Sequence, residues 1–248
     1  MDLTGKTVLI TGASRGIGAA AARELASQGM KVILAARTLS DCEKIAADIR
    51  ESGQEALAVA CDVASYASVA AAVQAGNDAF GPIDVLVNNA GVIDPIARLS
   101  ETDPGCWDQV VDINFKGVYH GIRAVLPSMQ ERGSGVIINL SSGAASNALE
   151  GWSHYSATKA GVLMLTQCVH KEYAEHGIRC IGLSPGTVAT DMQMAIKHSG
   201  INPVSQMDFK DHIPPQWPAR AIAWLCTEAA AEYSGSDFSL KTEEARKQ

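Results

Sequence analysis

The stretch TVLITGASRGIG, residues 7–18, decides the fold of this 248-residue chain. Residues 7–10 are apolar or β-branched and predict a strand, and a helix is predicted from residue 16. Glycines at positions 12, 16 and 18 permit a tight turn, let the backbone approach a pyrophosphate and let the helix pack on the sheet. The stretch therefore predicts a strand, a phosphate-binding turn and a helix, although a glycine-rich turn can also serve conformation alone.

The same alternation continues outward along the chain. Short apolar runs predict strands over residues 7–10, 31–35, 56–60, 83–87, 136–140 and 179–183. Longer amphipathic stretches predict helices over residues 16–28, 41–52, 66–79, 106–132, 152–176 and 218–229. Strict β-α alternation implies parallel strands and helices on both faces, which is a doubly wound α/β sheet. Such sheets bind ligands at the carboxyl ends of their strands, so the turns there should carry the function.

Length, composition and charge limit the possible classes of protein. With 47% hydrophobic and 19% charged residues, residues 1–248 can bury a substantial core and are expected to form one domain. A formal net charge of -7 and the lack of any run of five basic residues disfavour nucleic acid and anionic membranes as partners. Six scattered cysteines predict reduced thiols, with neither a disulfide scaffold nor a metal site. No leader or membrane-length apolar segment is visible, so a cytoplasmic protein is expected.

The pentapeptide Tyr155-Ser156-Ala157-Thr158-Lys159 contains a candidate acid–base pair. On a helix, Tyr155 and Lys159 lie on the same face. A cation held close to a tyrosine favours the phenolate and lowers the phenol pKa from its usual ~10. Such a tyrosine can exchange a proton with a substrate hydroxyl or carbonyl oxygen. For the pentapeptide alone, an ordinary packed helix pair is the alternative.

The end of the second predicted strand bears on the choice of cofactor. An acidic residue there would accept the ribose hydroxyls of NAD, but the chain has Ala36 followed by Arg37, with Arg15 on the neighbouring turn. Each arginine could make charge-assisted bonds of about 1.5–3 kcal/mol to a 2′-phosphate, which implies roughly ten- to a hundredfold preference for NADP. Each could instead be a solvated residue at a helix start. Asp62, after the third strand, could accept the adenine amino group.

Several motifs occur in an order that resembles a known family. They are Gly12/Gly16/Gly18, Asn88-Asn89-Ala90-Gly91, Asn114, Ser142, Tyr155/Lys159 and Pro185-Gly186. In these, over about residues 4–192, the chain resembles the single-domain short-chain dehydrogenases/reductases, and within them the carbonyl reductases similar to 3-oxoacyl-acyl-carrier-protein reductase. The resemblance implies a seven-stranded, Rossmann-like parallel sheet, with its last strand near residues 237–240, and NADP(H) as cofactor.

The resemblance also implies roles for individual residues. Tyr155 would be the general acid/base, and Lys159 would lower its pKa and hold the nicotinamide ribose. Ser142, rather than the strand-end Ser141, would orient the substrate oxygen, and Asn114 would hold a water that links Lys159 to solvent. Asn114 could instead cap or kink its helix. The implied cofactor contacts are Gly12, Ser14, Arg15, Gly16, Ile17, Gly18, Arg37, Asp62, Val63, Asn89, Ala90, Gly91, Tyr155, Lys159, Pro185, Gly186, Val188 and Thr190.

Three of these predictions have structural alternatives. Asn88 and Asn89 could tie neighbouring strand ends together, and the Pro185-Gly186 segment could be a simple turn. The irregular segment 187–217 is a candidate lid over a substrate pocket or a passively packed insertion.

Trp152 could line the mouth of this pocket. His154 points about 100° away from Tyr155 around the helix, so a surface or packing role is expected.

We therefore expect an NADPH-dependent enzyme that reduces a ketone or aldehyde carbonyl, with a 3-oxoacyl thioester as the best single substrate. The alternatives are an NAD(P)-dependent alcohol or steroid dehydrogenase and a non-catalytic NADP(H)-sensing protein. The resemblance implies a homo-oligomer, either a dimer or a tetramer. Many relatives end in Asp-Gly-Gly after the last strand, whereas this chain has Lys241-Thr242-Glu243 and a charged tail, which puts the assembly in doubt.

Overall fold

Seven parallel strands form a single sheet in the order β3-β2-β1-β4-β5-β6-β7. The computed structural model describes residues 2–241, so the charged tail that follows lies outside the described residues. The strands are β1 Thr7–Thr11, β2 Lys31–Ala36, β3 Ala56–Ala60, β4 Val85–Asn88, β5 Gly135–Leu140, β6 Ile178–Ser184 and β7 Asp237–Ser239. The prediction of a doubly wound, seven-stranded α/β sheet is confirmed.

Within residues 2–241, eight α-helices connect the strands. They are α1 Gly16–Ser27, α2 Leu39–Glu51, α3 Tyr66–Phe80, α4 Pro104–Val111, α5 Gly117–Arg132, α6 Ser153–Tyr173, α7 Asp191–Ser199 and α8 Gln216–Leu225. Helices α1, α2 and α8 cover one face of the sheet, and α3, α5 and α6 cover the other. Because both faces are covered, the central strands are apolar at nearly every position rather than at alternate ones.

The strand order reverses between β1 and β4, which lie side by side. From this point the chain adds strands in two directions. Strands β1 to β3 extend towards one edge of the sheet, and strands β4 to β7 extend towards the other. Open parallel sheets bind ligands in the crevice at this point, outside the carboxyl ends of the strands. The glycine-rich turn follows β1, and Asn89 follows β4, so both lie at this crevice.

The predicted long helix over residues 106–132 was wrong as a continuous α-helix. It is divided into α4 and α5 by a π-helical turn, Asp112–Lys116, that contains Asn114. The Asn114 side chain is used for hydrogen bonds to the backbone of Val92, outside the helix. A π-turn in the middle of a helix often marks a functional site.

Two other predictions of element boundaries need correction. The predicted strand over residues 83–87 begins two residues later, because Asp84 precedes the ladder and its carboxylate accepts the Thr7 N–H at 3.0 Å. The predicted helix over residues 218–229 is α8, which ends at Leu225 and is followed by a 3-10 helix, Glu228–Tyr233.

The candidate lid, residues 187–217, is more regular than predicted. It contains α7 and two short 3-10 helices, Pro203–Gln206 and Phe209–Asp211. A parallel bridge between Val188 and Ile213 joins its two ends. None of the helices within residues 2–241 combines the length and the apolar character needed to cross a membrane.

Candidate active site

One cleft of about 980 Å³ runs along the carboxyl edge of the sheet and collects most of the predicted site residues. Those that line it are Gly12, Ser14, Arg15, Gly16, Ile17, Arg37, Asp62, Val63, Asn89, Ala90, Gly91, Ser142, Tyr155, Lys159, Pro185, Gly186, Val188 and Thr190. Gly18 and Asn114 are not among the lining residues, so these two residues can affect the cleft only through the residues that line it.

The glycine-rich turn has the backbone that its sequence predicts. Gly12 and Gly16 have φ of 64° and 56°, in the left-handed region that favours glycine. A Cβ on Gly12 would lie 2.8 Å from the Ala90 Cα, so β1 and β4 could not approach as they do. A Cβ on Gly18 would lie 2.5 Å from the Asn89 Nδ2. Gly18 therefore serves the close packing of α1 on the strand ends.

The N-terminus of α1 is free to receive an anion. Its N-cap residue, Arg15, makes no side-chain capping bond, and the first turn contains no acidic residue. The first N–H groups of a helix have no partner within the helix and carry partial positive charge. This end of the cleft therefore offers donors suited to a pyrophosphate.

Arg15 and Arg37 line the cleft beside this turn, and both are exposed. Arg15 Nε lies 3.6 Å from Asp191 Oδ2, and both side chains are more than three-quarters exposed. Exposed pairs of this kind are weak, so Arg15 can exchange its partner for a phosphate. Asp41 also lines this end, but it is paired with Lys44 at 3.0 Å.

Asp62 and Asn89 both have structural contacts. The Asp62 Oδ1 accepts the Ala64 N–H at 3.1 Å, so the carboxylate stabilises the turn after β3 while lining the cleft. The Asn89 Nδ2 donates to the Thr11 and Gly12 carbonyls at 2.9 and 3.0 Å. Asn89 therefore ties the end of β4 to the glycine-rich turn, which is the structural alternative that the sequence left open.

Tyr155 and Ser142 meet at the opposite end of the cleft. Tyr155 is 8% exposed, and burial raises the pKa of its phenol, while a hydrogen bond with the Ser142 hydroxyl acts to lower it. Ser142 is held by its own local structure, since it caps the 3-10 helix Gly143–Ala145 and its Oγ accepts the Ala144 N–H at 3.1 Å. The choice of Ser142 over Ser141 agrees with this geometry.

Lys159 is buried beside Tyr155. Its Nζ donates to the Leu140 carbonyl at 2.5 Å and lies 5.6 Å from the centroid of the Tyr155 ring. Burial lowers the pKa of Lys159 to about 8, and the Asp237 carboxylate opposes this. The net shift of the Tyr155 pKa is upward, and the lowering of this pKa by Lys159 stays a prediction. Burial dominates at the phenol, and its pKa is raised.

Asn114 is fully buried and clamps the loop after β4. Its Oδ1 accepts the Val92 N–H and its Nδ2 donates to the Val92 carbonyl, both at 2.8 Å. Its Nδ2 also reaches the Thr158 Oγ1 at 3.4 Å, one residue before Lys159 along α6. The distortion of the helix at Asn114 agrees with the kinked alternative. Its proposed contact with water stays a prediction.

His154 is completely buried, so of the surface and packing roles that the sequence left open, the structure shows packing. The ring faces the backbone of Ile93 and Pro95 in the loop after β4. Burial lowers the pKa of this imidazole, although those backbone groups act to raise it.

An apolar cluster surrounds Tyr155 on the side away from the glycine turn. It consists of Ile93, Ala144, Trp152, Tyr155 and Ile196, with Met192 and Val204 packed against it. Trp152 lines the cleft, as expected, and its ring meets the Tyr155 ring edge-on at 5.5 Å. Ile196 belongs to α7, so the candidate lid forms part of the wall around the phenol.

Sequence reasoning missed two residues near the site. Lys241, just after β7, lines the cleft with its ammonium beside Gly143. Asp237, on β7, lies behind Lys159. In the sequence, both residues belong to the C-terminal segment that departs from the family pattern. A single charged residue in or beside a short strand forms no motif, so nothing in the sequence assigned either residue to the site.

Comparisons with known proteins agree with this geometry. A family model described as short chain dehydrogenase matches residues 6–200. The 3-oxoacyl-[acyl-carrier-protein] reductase of Synechocystis sp. is 37% identical over 243 residues, which cover 96% of each chain. The crystal structure of the 3-ketoacyl-(acyl-carrier-protein) reductase of Brucella melitensis, complexed with NADH, has a TM-score of 0.86 and 32% identity, covering 96% of this chain and 97% of that one. A variant of actinorhodin polyketide ketoreductase with NADPH has a TM-score of 0.87 and 30% identity over 95% of each chain.

Proposed function

Because the chain belongs to the short-chain dehydrogenase family, we propose that it is an NADP(H)-dependent reductase that converts a ketone or aldehyde carbonyl to an alcohol. The observation that carries this proposal is the meeting of Tyr155, Ser142 and Lys159 in a cleft that also contains the glycine-rich turn. The turn and the phenol line one continuous space, so a cofactor bound at the turn can reach the phenol.

The residues present fit a dinucleotide. The uncapped N-terminus of α1 would hold the pyrophosphate, and Arg15 and Arg37 would hold a 2′-phosphate. Lys159 and the segment from Pro185 to Thr190 would hold the nicotinamide half. When bound, NADPH supplies a hydride to the carbonyl carbon of the substrate.

Tyr155 would supply the proton that the reduction requires. Because burial raises its pKa, the phenol keeps its proton at neutral pH and can donate it to the carbonyl oxygen as negative charge develops there. The Lys159 ammonium would stabilise the phenolate that remains. Ser142 would orient the same oxygen by hydrogen bonding, which positions the carbonyl for the transfer.

The wall around Tyr155 supports a substrate with an apolar portion. Trp152, Ile196, Met192 and Val204 provide aliphatic and aromatic surface but no fixed charge. This surface suits the acyl chain of a 3-oxoacyl thioester, which is the substrate named for two of the similar proteins. We therefore propose a 3-oxoacyl thioester as the first substrate to test.

The function is tested by following NADPH oxidation with 3-oxoacyl thioesters, simple aldehydes, quinones and ketosteroids. We expect turnover with at least one class and the highest kcat/KM with a 3-oxoacyl thioester. Cofactor binding is measured in parallel by thermal shift. Binding of NADPH without turnover of any carbonyl would support the non-catalytic sensing alternative instead.

The preference for NADP(H) is a separate proposal, supported by the two arginines and by the small side chain of Ala36 at the end of β2. Its test compares the Kd values of NADPH and NADH for the wild type and for Arg37→Ala. We expect the substitution to weaken NADPH binding roughly tenfold or more and to leave NADH binding nearly unchanged. Arg220→Ala, exposed on α8, is the matched control. Equal affinity of the wild type for both cofactors would contradict the proposal.

We also propose that the chain forms a homo-oligomer. Tyr119 on α5 and Met164 on α6 are large apolar or aromatic side chains that are about half exposed. Such residues on adjacent outer helices suit a contact between copies. A cytoplasmic location stays a prediction from the sequence.

A further inference from the structure

Asp237 is a carboxylate close to the candidate active site that the proposed mechanism does not use. It is the first residue of β7, and its register partner on β6 is Gly182. Its side chain lies on the face of the sheet that α6 covers, because the Ser184 hydroxyl on that face donates to Asp237 Oδ2 at 2.6 Å. Asp237 therefore lies beneath the helix that carries Tyr155 and Lys159.

The fold provides room for this carboxylate. A Cβ on Gly182 would lie 2.6 Å from the Asp237 Oδ1, so a larger residue at position 182 would displace it. Oδ1 and the Ser141 hydroxyl are both sealed from solvent, and neither has a hydrogen bond of ordinary geometry. A buried carboxylate is costly unless charge or hydrogen bonds compensate. Ser184 supplies one hydrogen bond, the Ser141 hydroxyl also acts to lower the pKa of the carboxyl group, and a nearby cation adds compensation by charge.

Lys159 is the cation that supplies it. The Lys159 ammonium is hydrogen-bonded to the Leu140 carbonyl and lies 5.6 Å from the centroid of the Tyr155 ring, and neither of these groups carries a charge at neutral pH. The register of the sheet places Asp237 near this ammonium, because Leu140 pairs with Leu183 on β6 and Asp237 pairs with the preceding residue, Gly182. The charge of Asp237 acts to raise the pKa of Lys159.

We propose that Asp237 is a positioning residue for catalysis: its partly buried carboxylate, anchored by Ser184, keeps Lys159 in the ammonium form beside Tyr155. This rests on the proposed function, in which the ammonium stabilises the phenolate formed when Tyr155 donates its proton. Without the carboxylate, burial alone would act on Lys159 and favour the neutral amine.

The directions of the pKa values agree with this geometry. Burial lowers the pKa of Lys159 to about 8 and Asp237 acts to raise it. Burial raises the pKa of Asp237, while Ser184, Ser141 and Lys159 act to lower it. The two groups therefore act on each other in favour of the charged forms, and at Asp237 the hydrogen bonds of Ser184 and Ser141 contribute more than Lys159 does.

The test is Asp237→Asn, which removes the charge but keeps an oxygen that can accept the Ser184 hydroxyl. We expect the alkaline limb of the kcat profile for carbonyl reduction to move to lower pH by about one unit, because the ammonium would lose its proton sooner. Ser184→Ala, which keeps the charge, should move the limb less. Glu232→Gln, an exposed carboxylate near the start of β7, is the control and should leave it in place. An unshifted profile for Asp237→Asn would overturn the proposal.

A second measurement does not depend on turnover. The 15N resonance of the Lys159 Nζ, assigned by its absence in Lys159→Met, should titrate at lower pH in Asp237→Asn than in the wild type, because the amine loses the field of the carboxylate. Glu232→Gln should leave this titration unchanged. An equal midpoint for Asp237→Asn and the wild type would overturn the proposal. If the wild type reduces no carbonyl, the proposed function fails while this titration still decides the role of Asp237.

Discussion

Burial reverses the usual order of ionisation of Tyr155 and Lys159. The pKa of Lys159 is lowered to about 8, and the pKa of Tyr155 is raised from its usual value of 10.0. At neutral pH the pair consists of a protonated phenol beside an ammonium, which is the form that a carbonyl reduction needs. The sequence predicted the pair and its shared helix face, but the sign of the phenol shift depends on burial, which the spacing of two residues does not reveal.

The first prediction concerns the proton of Tyr155. Tyr155→Phe keeps the ring and its edge-on contact with Trp152 but removes the hydroxyl. We expect kcat to fall by about a hundredfold or more, since general acid catalysis typically contributes 10²–10⁴-fold. The Kd for NADPH, measured by fluorescence titration, should change little. The control is Tyr66→Phe, at the exposed start of α3, and a wild-type kcat for Tyr155→Phe would refute the assignment.

The second prediction concerns pH. Because the pKa of Lys159 is about 8, the ammonium is present below this pH and is lost as pH rises through it. The kcat for reduction should therefore be level below about pH 8 and decline above it. A profile that stays level until the phenol itself titrates, above pH 10, would show that the ammonium is not required.

At the scale of the elements, the alternation of strands and helices was predictable. Helices cover both faces of the sheet, so the buried strands appear in the sequence as continuous apolar runs. The division of the predicted helix over residues 106–132 was not predictable in the same way. It depends on Asn114 reaching the backbone of Val92, a contact between segments 22 residues apart. Helix α7 was not predicted, because prolines and methionines are frequent in the segment that contains it. Its one buried residue, Ile196, cannot produce the repeating apolar pattern that predicts an amphipathic helix.

The third prediction belongs to the turn between β1 and α1. Gly12→Ala combines a left-handed backbone with a Cβ that would lie 2.8 Å from the backbone of Ala90. Gly53→Ala is the matched control, since Gly53 has φ of 82° and nothing lies within 4 Å of its Cβ position. We expect Gly53→Ala to lower the free energy of unfolding by about 1 kcal/mol, from conformation alone. Gly12→Ala should cost more and should also weaken NADPH binding. Equal losses of stability in urea titrations would mean that the contact with Ala90 is unimportant.

At the scale of the whole molecule, the topology places every part of the site at one edge of the sheet. The glycine turn, Asn89, Ser142 and Pro185 follow four adjacent strands, β1, β4, β5 and β6. This convergence was predictable from the strand order of doubly wound sheets. The contribution of β7 was not, because Asp237 and Lys241 belong to the segment in which the chain departs from its relatives.

The fourth prediction concerns assembly. If α5 and α6 form a contact between copies, the 26.1 kDa chain should elute with at least twice that mass in light-scattering chromatography. Met164→Glu, which places a charge on a side chain 58% exposed on α6, should shift the protein towards the monomer. Met194→Glu, with a similarly exposed methionine on α7, should not. A monomeric wild type would contradict the proposed contact.

Thr190 and Asp191 connect the glycine-rich turn to the start of α7. The Thr190 methyl group is 3.3 Å from the Cβ position of Gly16 in the turn, and Asp191 begins α7 and pairs with Arg15. A dinucleotide that occupied the turn and attracted Arg15 would compete with Asp191 for this side chain. Occupation of the turn would then break the ion pair that joins it to the first helix of the segment 187–217.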